Sequence, residues 1–126
     1  MDSLKDVSLI IATFNEEDSI GFVLDEIVDY DFHEVIIVDG ESKDKTIDIA
    51  SKYKTKIITQ KNKGWGSAVL EGFNYATGKY ITYMDGDGSY RPSSIYEPNQ
   101  TSDFKISRGK FSDFLTCKRC FYLDRV

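Results

Sequence analysis

The chain holds only two cysteines, two prolines, one histidine and one tryptophan among 126 residues, and each scarcity closes a route. Two thiols cannot staple a small disulfide scaffold. Cys117 and Cys120 form a C-x-x-C, but zinc takes four ligands and the single histidine, His33, is remote in sequence. A redox C-x-x-C opens a helix after a strand, whereas this pair lies in a basic and aromatic stretch, so both read as ordinary thiols. No apolar run approaches the ~20 residues that span a bilayer. Met1-Asp2-Ser3-Leu4-Lys5-Asp6 has neither the basic start nor the apolar centre of a signal peptide, so the expected location is cytoplasmic. A net charge of −5 with no long basic cluster argues against nucleic acid as partner. A metal ion and a few lysines would have to manage any polyphosphate ligand.

What is present is enough apolar material for a core. Hydrophobic residues make up 40% of the chain and charged residues 29%, which suits one globular domain of this length. Residues 7–13 are nearly continuously apolar, as in a strand buried on both faces of a parallel sheet. Asn15 then suits a helix N-cap, with Glu16, Glu17 and Asp18 in the first turn, where the helix dipole favours negative charge. Ile20, Val23, Leu24, Ile27 and Val28 follow at helical spacing. The unit repeats: residues 34–39 form a second strand, Ser42 caps a helix over 43–53, and residues 56–59 form a third strand. The polar loop 60–66 leads into a helix with Val69, Gly72, Phe73 and Ala76 on its inner face. Gly78 stands where a left-handed C-terminal residue belongs, and a fourth strand starts at Tyr80.

This alternation predicts an α/β, Rossmann-like fold, a parallel sheet with helices on both faces. Such sheets bind ligands beyond the carboxyl ends of their strands, near the point where strand order reverses. Residues 13–16, 39–42, 61–66 and 85–89 all fall at those ends. Further on, Pro92 suits the first turn of a helix and residues 102–107 a fifth strand. Residues 109–126 show no clear period, and Phe111, Phe114, Phe121 and Tyr122 either pack on the sheet or face a partner. The expected division is a domain over 1–108 and a tail over 109–126.

The fourth strand ends in two carboxylates, Asp85 and Asp87, with Gly86 between them and Gly88 after. In extended backbone, residues two apart project to the same side, so both acids can face one small volume. The glycines let a ligand approach the main chain. Two hard oxygen donors beside open space suit Mg²⁺ or Mn²⁺, which complete their shells with water and substrate phosphates. Asp-Gly-Asp-Gly is equally an ordinary turn sequence, and on these residues alone both readings stand. A calcium loop starting at Asp85 is excluded, because Tyr90 and Tyr96 occupy the places of its glycine and glutamate.

Four stretches together resemble the signature series of the family 2 glycosyltransferases, above all the dolichyl- or polyprenyl-phosphate mannose and glucose synthases. They are Ile11-Ala12-Thr13-Phe14-Asn15-Glu16, Val38-Asp39-Gly40-Glu41-Ser42-Lys43-Asp44-Lys45-Thr46, Asn62-Lys63-Gly64-Trp65-Gly66-Ser67-Ala68 and Met84-Asp85-Gly86-Asp87-Gly88-Ser89. The resemblance covers residues 7–95. It implies the nucleotide-binding half of a GT-A fold and a GDP- or UDP-sugar donor. It also implies Mg²⁺ or Mn²⁺ held by Asp85 and Asp87, with Asp87 as catalytic carboxylate. The reaction implied is inverting transfer to a polyprenyl phosphate, at the membrane periphery. Carried over by position, Ala12, Phe14, Asn15 and Glu16 would line the base and ribose pocket, and Val38 and Asp39 would contact the base. Lys63 and Gly64 would belong to the neighbouring loop, and Asp85, Gly86 and Asp87 to the diphosphate site. A carboxylate such as Asp39 can accept the ring N–H that uracil and guanine both present.

Each residue also has a plainer reading: Asn15 as a cap, Glu16 as a dipole partner, Lys61 and Lys63 as solvated charges, Phe14 and Trp65 as packing. The chain departs from the family at Ala12, where proline is usual, at Gly40, where a second acid is usual, and at Ser89 and Tyr90, where glutamine or histidine is common. Family members continue with an acceptor-binding half that residues 109–126 do not resemble. The alternative is therefore a non-catalytic donor-binding or assembly module, pairing with another chain or a second copy through the aromatic tail. A dinucleotide-dependent oxidoreductase, suggested by Gly64 and Gly66 before a helix, fails on position and on Val69, which stands where the third glycine belongs.

Overall fold

Strand β1 (Val7–Thr13) is buried along almost its whole length, because helices cover both of its faces. In the computed structural model, which describes residues 4–87, 106–107 and 122–124, β1 pairs in parallel with β2 (Glu34–Asp39) on one side and β4 (Tyr80–Asp85) on the other. Strand β3 (Lys56–Thr59) extends the parallel sheet beyond β2. Val7, Leu9 and Ile11 point to one face, where α1 (Ile20–Ile27) and α2 (Thr46–Ala50) bring Ile20, Val23, Leu24, Ile27 and Ala50. Ile10 points to the other, where α3 (Trp65–Tyr75) brings Ala68 and Val69 against Ile36, Val38 and Ile81. Burial of each fully covered Leu or Ile contributes about 1.5–3 kcal/mol. The α/β reading with helices on both faces is thus what the chain folds into.

Gly72 sets the closeness of α3 to the sheet. A Cβ there would stand 2.5 Å from Ile10 Cγ2 and 3.0 Å from Val38 Cγ2, so a larger residue would lift the helix off β1 and β2.

The helix ends differ from the sequence reading, for one shared reason. Asn15 is not a cap: it takes a left-handed φ of 50°, and α1 begins only at Ile20, after Ser19. Helix α2 spans Thr46–Ala50 rather than 43–53, with Lys45 in the cap position, and Ser42 is not its cap. The loops after β1 and β2 hydrogen-bond each other instead. The N–H groups of Asn15, Glu16 and Glu17 donate to Ser42 Oγ (2.8 Å), Thr46 Oγ1 (2.8 Å) and Asp44 Oδ2 (3.1 Å). In return, Lys43 N–H donates to Asn15 Oδ1 (2.8 Å) and Lys45 N–H to Glu17 Oε2 (3.1 Å). Backbone donors satisfied across the loops have no need of a helix.

Gly78 also has another role, since among the described glycines only Gly64 has a positive φ. A side chain at Gly78 would collide with Ser8, to whose Oγ the Gly78 N–H donates at 2.8 Å.

Two short strands complete the sheet in the order β3-β2-β1-β4-β6-β5: β5 (Ile106–Ser107), at the end of the expected fifth strand, and β6 (Tyr122–Asp124), inside the stretch read as aperiodic. Strand β6 runs antiparallel to β4, with Ile81 opposite Leu123. The expected helix at Pro92, and Ser89, Tyr90, Phe111, Phe114, Cys117, Cys120 and Phe121, lie outside the described residues. Among the described residues no helix is long and apolar enough to cross a membrane.

Candidate functional site

The chain runs outward from β1 through β2 to β3 and then returns to the far side of β1 for β4, so strand order reverses between β1 and β4. A cleft of about 780 Å³ opens over the carboxyl ends of these strands. Its lining comes from each loop in turn: Phe14 and Glu16 after β1, Gly40, Glu41 and Lys43 after β2, residues 60–64 after β3, and Asp85 and Asp87 at the end of β4. Lys43, Lys61 and Lys63 belong to the β2 and β3 side, together with Glu41, and the two aspartates to the β4 side.

Close packing holds the aspartate turn. Asp85 stands beside Ala12 in the β1–β4 register, and Gly86 N–H donates to Ala12 O at 3.1 Å. The Gly86 carbonyl accepts the Ser19 hydroxyl at 2.8 Å, tying the turn to the start of α1. A Cβ on Gly86 would stand 2.8 Å from Thr13 Cγ2, so glycine is what allows this approach.

Asp85 is half-buried, Asp87 exposed, and both line the cleft with Glu16. Burial raises the Asp85 pKa above its ordinary 3.8, the charge of Asp87 raises it further, and a hydrogen bond from Trp65 Nε1 offsets part of this. Burial likewise raises Glu16 above 4.5, Asp87 and then Asp85 and Asp44 adding repulsion and the Ser19 hydroxyl opposing it. Clustered like charges of this kind are stabilised by a cation. Among the described residues no three His, Cys, Asp or Glu side chains form a ready cage. The donor set is two adjacent carboxylates open to a cleft, which fits an ion that keeps water and phosphate oxygens in its shell, as Mg²⁺ and Mn²⁺ do.

The remaining expected site residues divide. Ala12, Phe14, Glu16, Lys63 and Gly64 line the cleft, and Phe14 is 59% exposed rather than packed in the core. Gly64, with φ 104°, is the cap residue of α3. Asn15 is outside the lining and braces the β2 loop. Val38 is fully buried under α3 beside Gly72, so its side chain is core. Asp39 is 3% exposed and accepts hydrogen bonds from Thr13 Oγ1 (2.8 Å), Ser42 N (2.8 Å) and Ser42 Oγ (2.6 Å), which commits its carboxylate to the loop.

Several cleft residues were not singled out from sequence as ligand contacts, Gln60 and Lys43 among them. Gln60 follows β3 on the same rim, and its amide donates to the carbonyls of Asn62 and Gly64, shaping the loop before α3. Lys43 lines the cleft after β2. Each stands one residue outside a stretch expected at the rim, 61–66 for Gln60 and 39–42 for Lys43.

The sequence profile described as Glycosyl transferase family 2 matches residues 8–97. The chain is 35% identical over 97 residues to a dolichol-phosphate mannosyltransferase of Pyrococcus furiosus, a match covering 71% of this chain and 28% of that protein. It is 33% identical over 103 residues to the dolichyl-phosphate beta-glucosyltransferase of Homo sapiens, covering 68% of this chain and 32% of that one. The chain thus spans about a third of the length of these relatives. Its fold is similar to glucosyl-3-phosphoglycerate synthase of Mycobacterium tuberculosis, solved with Mn²⁺, UDP and glucosyl-3-phosphoglycerate. That likeness has a TM-score of 0.64 at 20% identity and covers 79% of this chain and 41% of the synthase. Mannosyl-3-phosphoglycerate synthase of Rubrobacter xylanophilus has a TM-score of 0.66 at 20% identity, with 79% and 38% covered.

Proposed function

Because this chain belongs to glycosyl transferase family 2, we propose that its cleft binds a GDP- or UDP-sugar through a divalent cation for inverting transfer of the sugar to a polyprenyl phosphate. The observation that carries the reading is the convergence of Asp85 and Asp87 with Glu16, Phe14 and the 60–64 loop on one cleft, at the reversal of strand order.

In this reading Asp85 and Asp87 hold Mg²⁺ or Mn²⁺, which when bound neutralises charge on the departing diphosphate. Phe14 flanks the base, and Lys43, Lys61 and Lys63 draw the anionic donor towards the β2 and β3 side of the cleft. Asp39 acts through the loop it anchors, holding residues 40–43 at the rim. The acceptor phosphate is ionised at neutral pH and needs no general base. One of its oxygens attacks the anomeric carbon, the bond from that carbon to the diphosphate breaks, and the electron pair leaves with the nucleotide. Asp87, the exposed member of the pair, is the carboxylate assigned to catalysis, as one of the two that would hold the ion. Relatives named for dolichol-phosphate mannosyl transfer and dolichyl-phosphate glucosyl transfer support this acceptor class. The same fold carries Mn²⁺ and UDP in the mycobacterial synthase.

Calorimetry with UDP and GDP, each with and without Mn²⁺, tests the reading. One nucleotide is expected to bind in a metal-dependent manner, and Asp87→Ala to abolish that dependence. Equal binding with and without Mn²⁺, or an unaffected variant, overturns it.

A further inference from the structure

Trp65 opens α3 directly after Gly64, and two contacts fix its ring. One edge meets the Tyr83 ring, with centroids 5.2 Å apart and planes at 68°, and Tyr83 is itself buried in the core under α3. The indole nitrogen donates to Asp85 Oδ1 at 2.5 Å. The backbone that carries the ring is held too, since the Gln60 amide donates to the Gly64 carbonyl at 2.6 Å.

We propose that Trp65 is the positioning residue for the first carboxylate of the cleft: its indole N–H pins Asp85 Oδ1 and so leaves Oδ2 as the oxygen offered to a divalent ion. The inference rests on the metal-dependent donor site proposed above.

The chemistry of the partner matters. An unheld aspartate turns freely about its side-chain bonds and must be ordered when the ion arrives. Lysine or arginine would order it, but would also neutralise it and compete with the cation. Indole is a donor only and carries no charge. It therefore orders Asp85 while leaving the full negative charge to the ion, as outer-shell donors do for metal-ligating carboxylates. The ring packs its edge on Tyr83 and stands at a helix start, which limits the positions its donor can take.

The test is calorimetric titration of Mn²⁺ into the chain with UDP present, comparing the unsubstituted protein with Trp65→Phe, Asp85→Asn and the double variant. Trp65→Phe removes the donor and keeps an aromatic ring, smaller than the indole, at the start of α3. It is expected to weaken Mn²⁺ binding about tenfold. Asp85→Asn is expected to weaken Mn²⁺ at least as much, with no further loss in the double variant, because the indole then has no ligand carboxylate to orient. Unchanged Mn²⁺ affinity in Trp65→Phe, with loss in Asp85→Asn, overturns the role of Trp65 and leaves the donor site standing. Unchanged affinity in both overturns the site and the proposal together. The chain has one tryptophan, so its emission is that of Trp65 alone and gives a second readout without substitution. Mn²⁺ with UDP is expected to change that emission, and an emission indifferent to an ion that calorimetry shows bound overturns the proposal.

Discussion

Gly86→Ala probes the packing that places both aspartates over the cleft. A Cβ at residue 86 would stand 2.8 Å from Thr13 Cγ2 and 3.3 Å from Ile20 Cδ1. Unstrained carbon contacts lie at ~3.5–4.0 Å, so the first contact is short by about 1 Å. The Thr13 methyl cannot swing away without breaking the 2.8 Å hydrogen bond from its hydroxyl to Asp39, so the strand end must yield. Overpacking of this kind costs about 1–3 kcal/mol. Thr13→Ser keeps the hydroxyl and removes the methyl, at a cost of about 1 kcal/mol for one buried group of that size. With both changes the new Cβ occupies the space the methyl left. The double variant should therefore be less destabilised than the sum of the single variants by about 1 kcal/mol or more. Urea unfolding of the four proteins, followed by far-ultraviolet circular dichroism, reads the coupling. Additivity within about 0.3 kcal/mol refutes the packing argument.

Three further outcomes follow from the fold. Among the described residues the buried Thr82 hydroxyl has no hydrogen-bond partner, so Thr82→Val should raise stability by about 1 kcal/mol in the same urea assay; a loss of that size would show that the hydroxyl is satisfied. Asn15→Ala removes the acceptor of Lys43 N–H and puts a poorly suited residue at φ 50°, which should cost about 2 kcal/mol. Asn15→Gly, which tolerates that φ, should cost less, and an equal cost for the two would reject the left-handed turn. At the other end of the sheet, burial raises the Glu34 pKa, but hydrogen bonds from Ser8 and Thr77 and the charge of His33 bring it below its ordinary 4.5. A depressed carboxylate stabilises the fold fully above the unfolded-state value and loses that contribution as pH falls through the folded one. The stability difference between the unsubstituted chain and Glu34→Gln should therefore narrow as pH is lowered below 4.5, and a constant difference would dismiss the network as its origin.

Strands β1, β2 and β4 were legible in sequence as runs of apolar and β-branched residues suited to a doubly covered sheet, and the half-exposed edge strand β3 as a short β-branched run; three of the four start and end as expected. Their carboxyl ends pointed to the rim, and Asp85, Asp87, Glu16 and Phe14 do meet there. What local sequence could not supply was contact between distant loops. Asn15-Glu16-Glu17 looks like a helix start until Ser42, Asp44 and Thr46 take its backbone donors from across the rim. The same contacts shorten α2, since Lys43 and Lys45 give their N–H groups to Asn15 and Glu17. Asp39 was legible as a rim residue but not as one whose carboxylate is occupied by Thr13 and Ser42. Trp65 read as packing because nothing in its neighbours betrays an aspartate twenty residues on. Gly78 marked a helix end correctly for the wrong reason: it is small because β1 passes close by, and its φ is not left-handed.

The central claim is that Asp85 and Asp87 grip a divalent ion that in turn holds a nucleotide diphosphate. The most direct measurement is anomalous diffraction at the manganese edge from crystals of the chain grown with Mn²⁺ and UDP. A single strong peak within coordination distance of both carboxylates and of the diphosphate oxygens is the predicted result. UDP seated in the cleft with no manganese beside those side chains, or manganese bound elsewhere on the molecule, would contradict it.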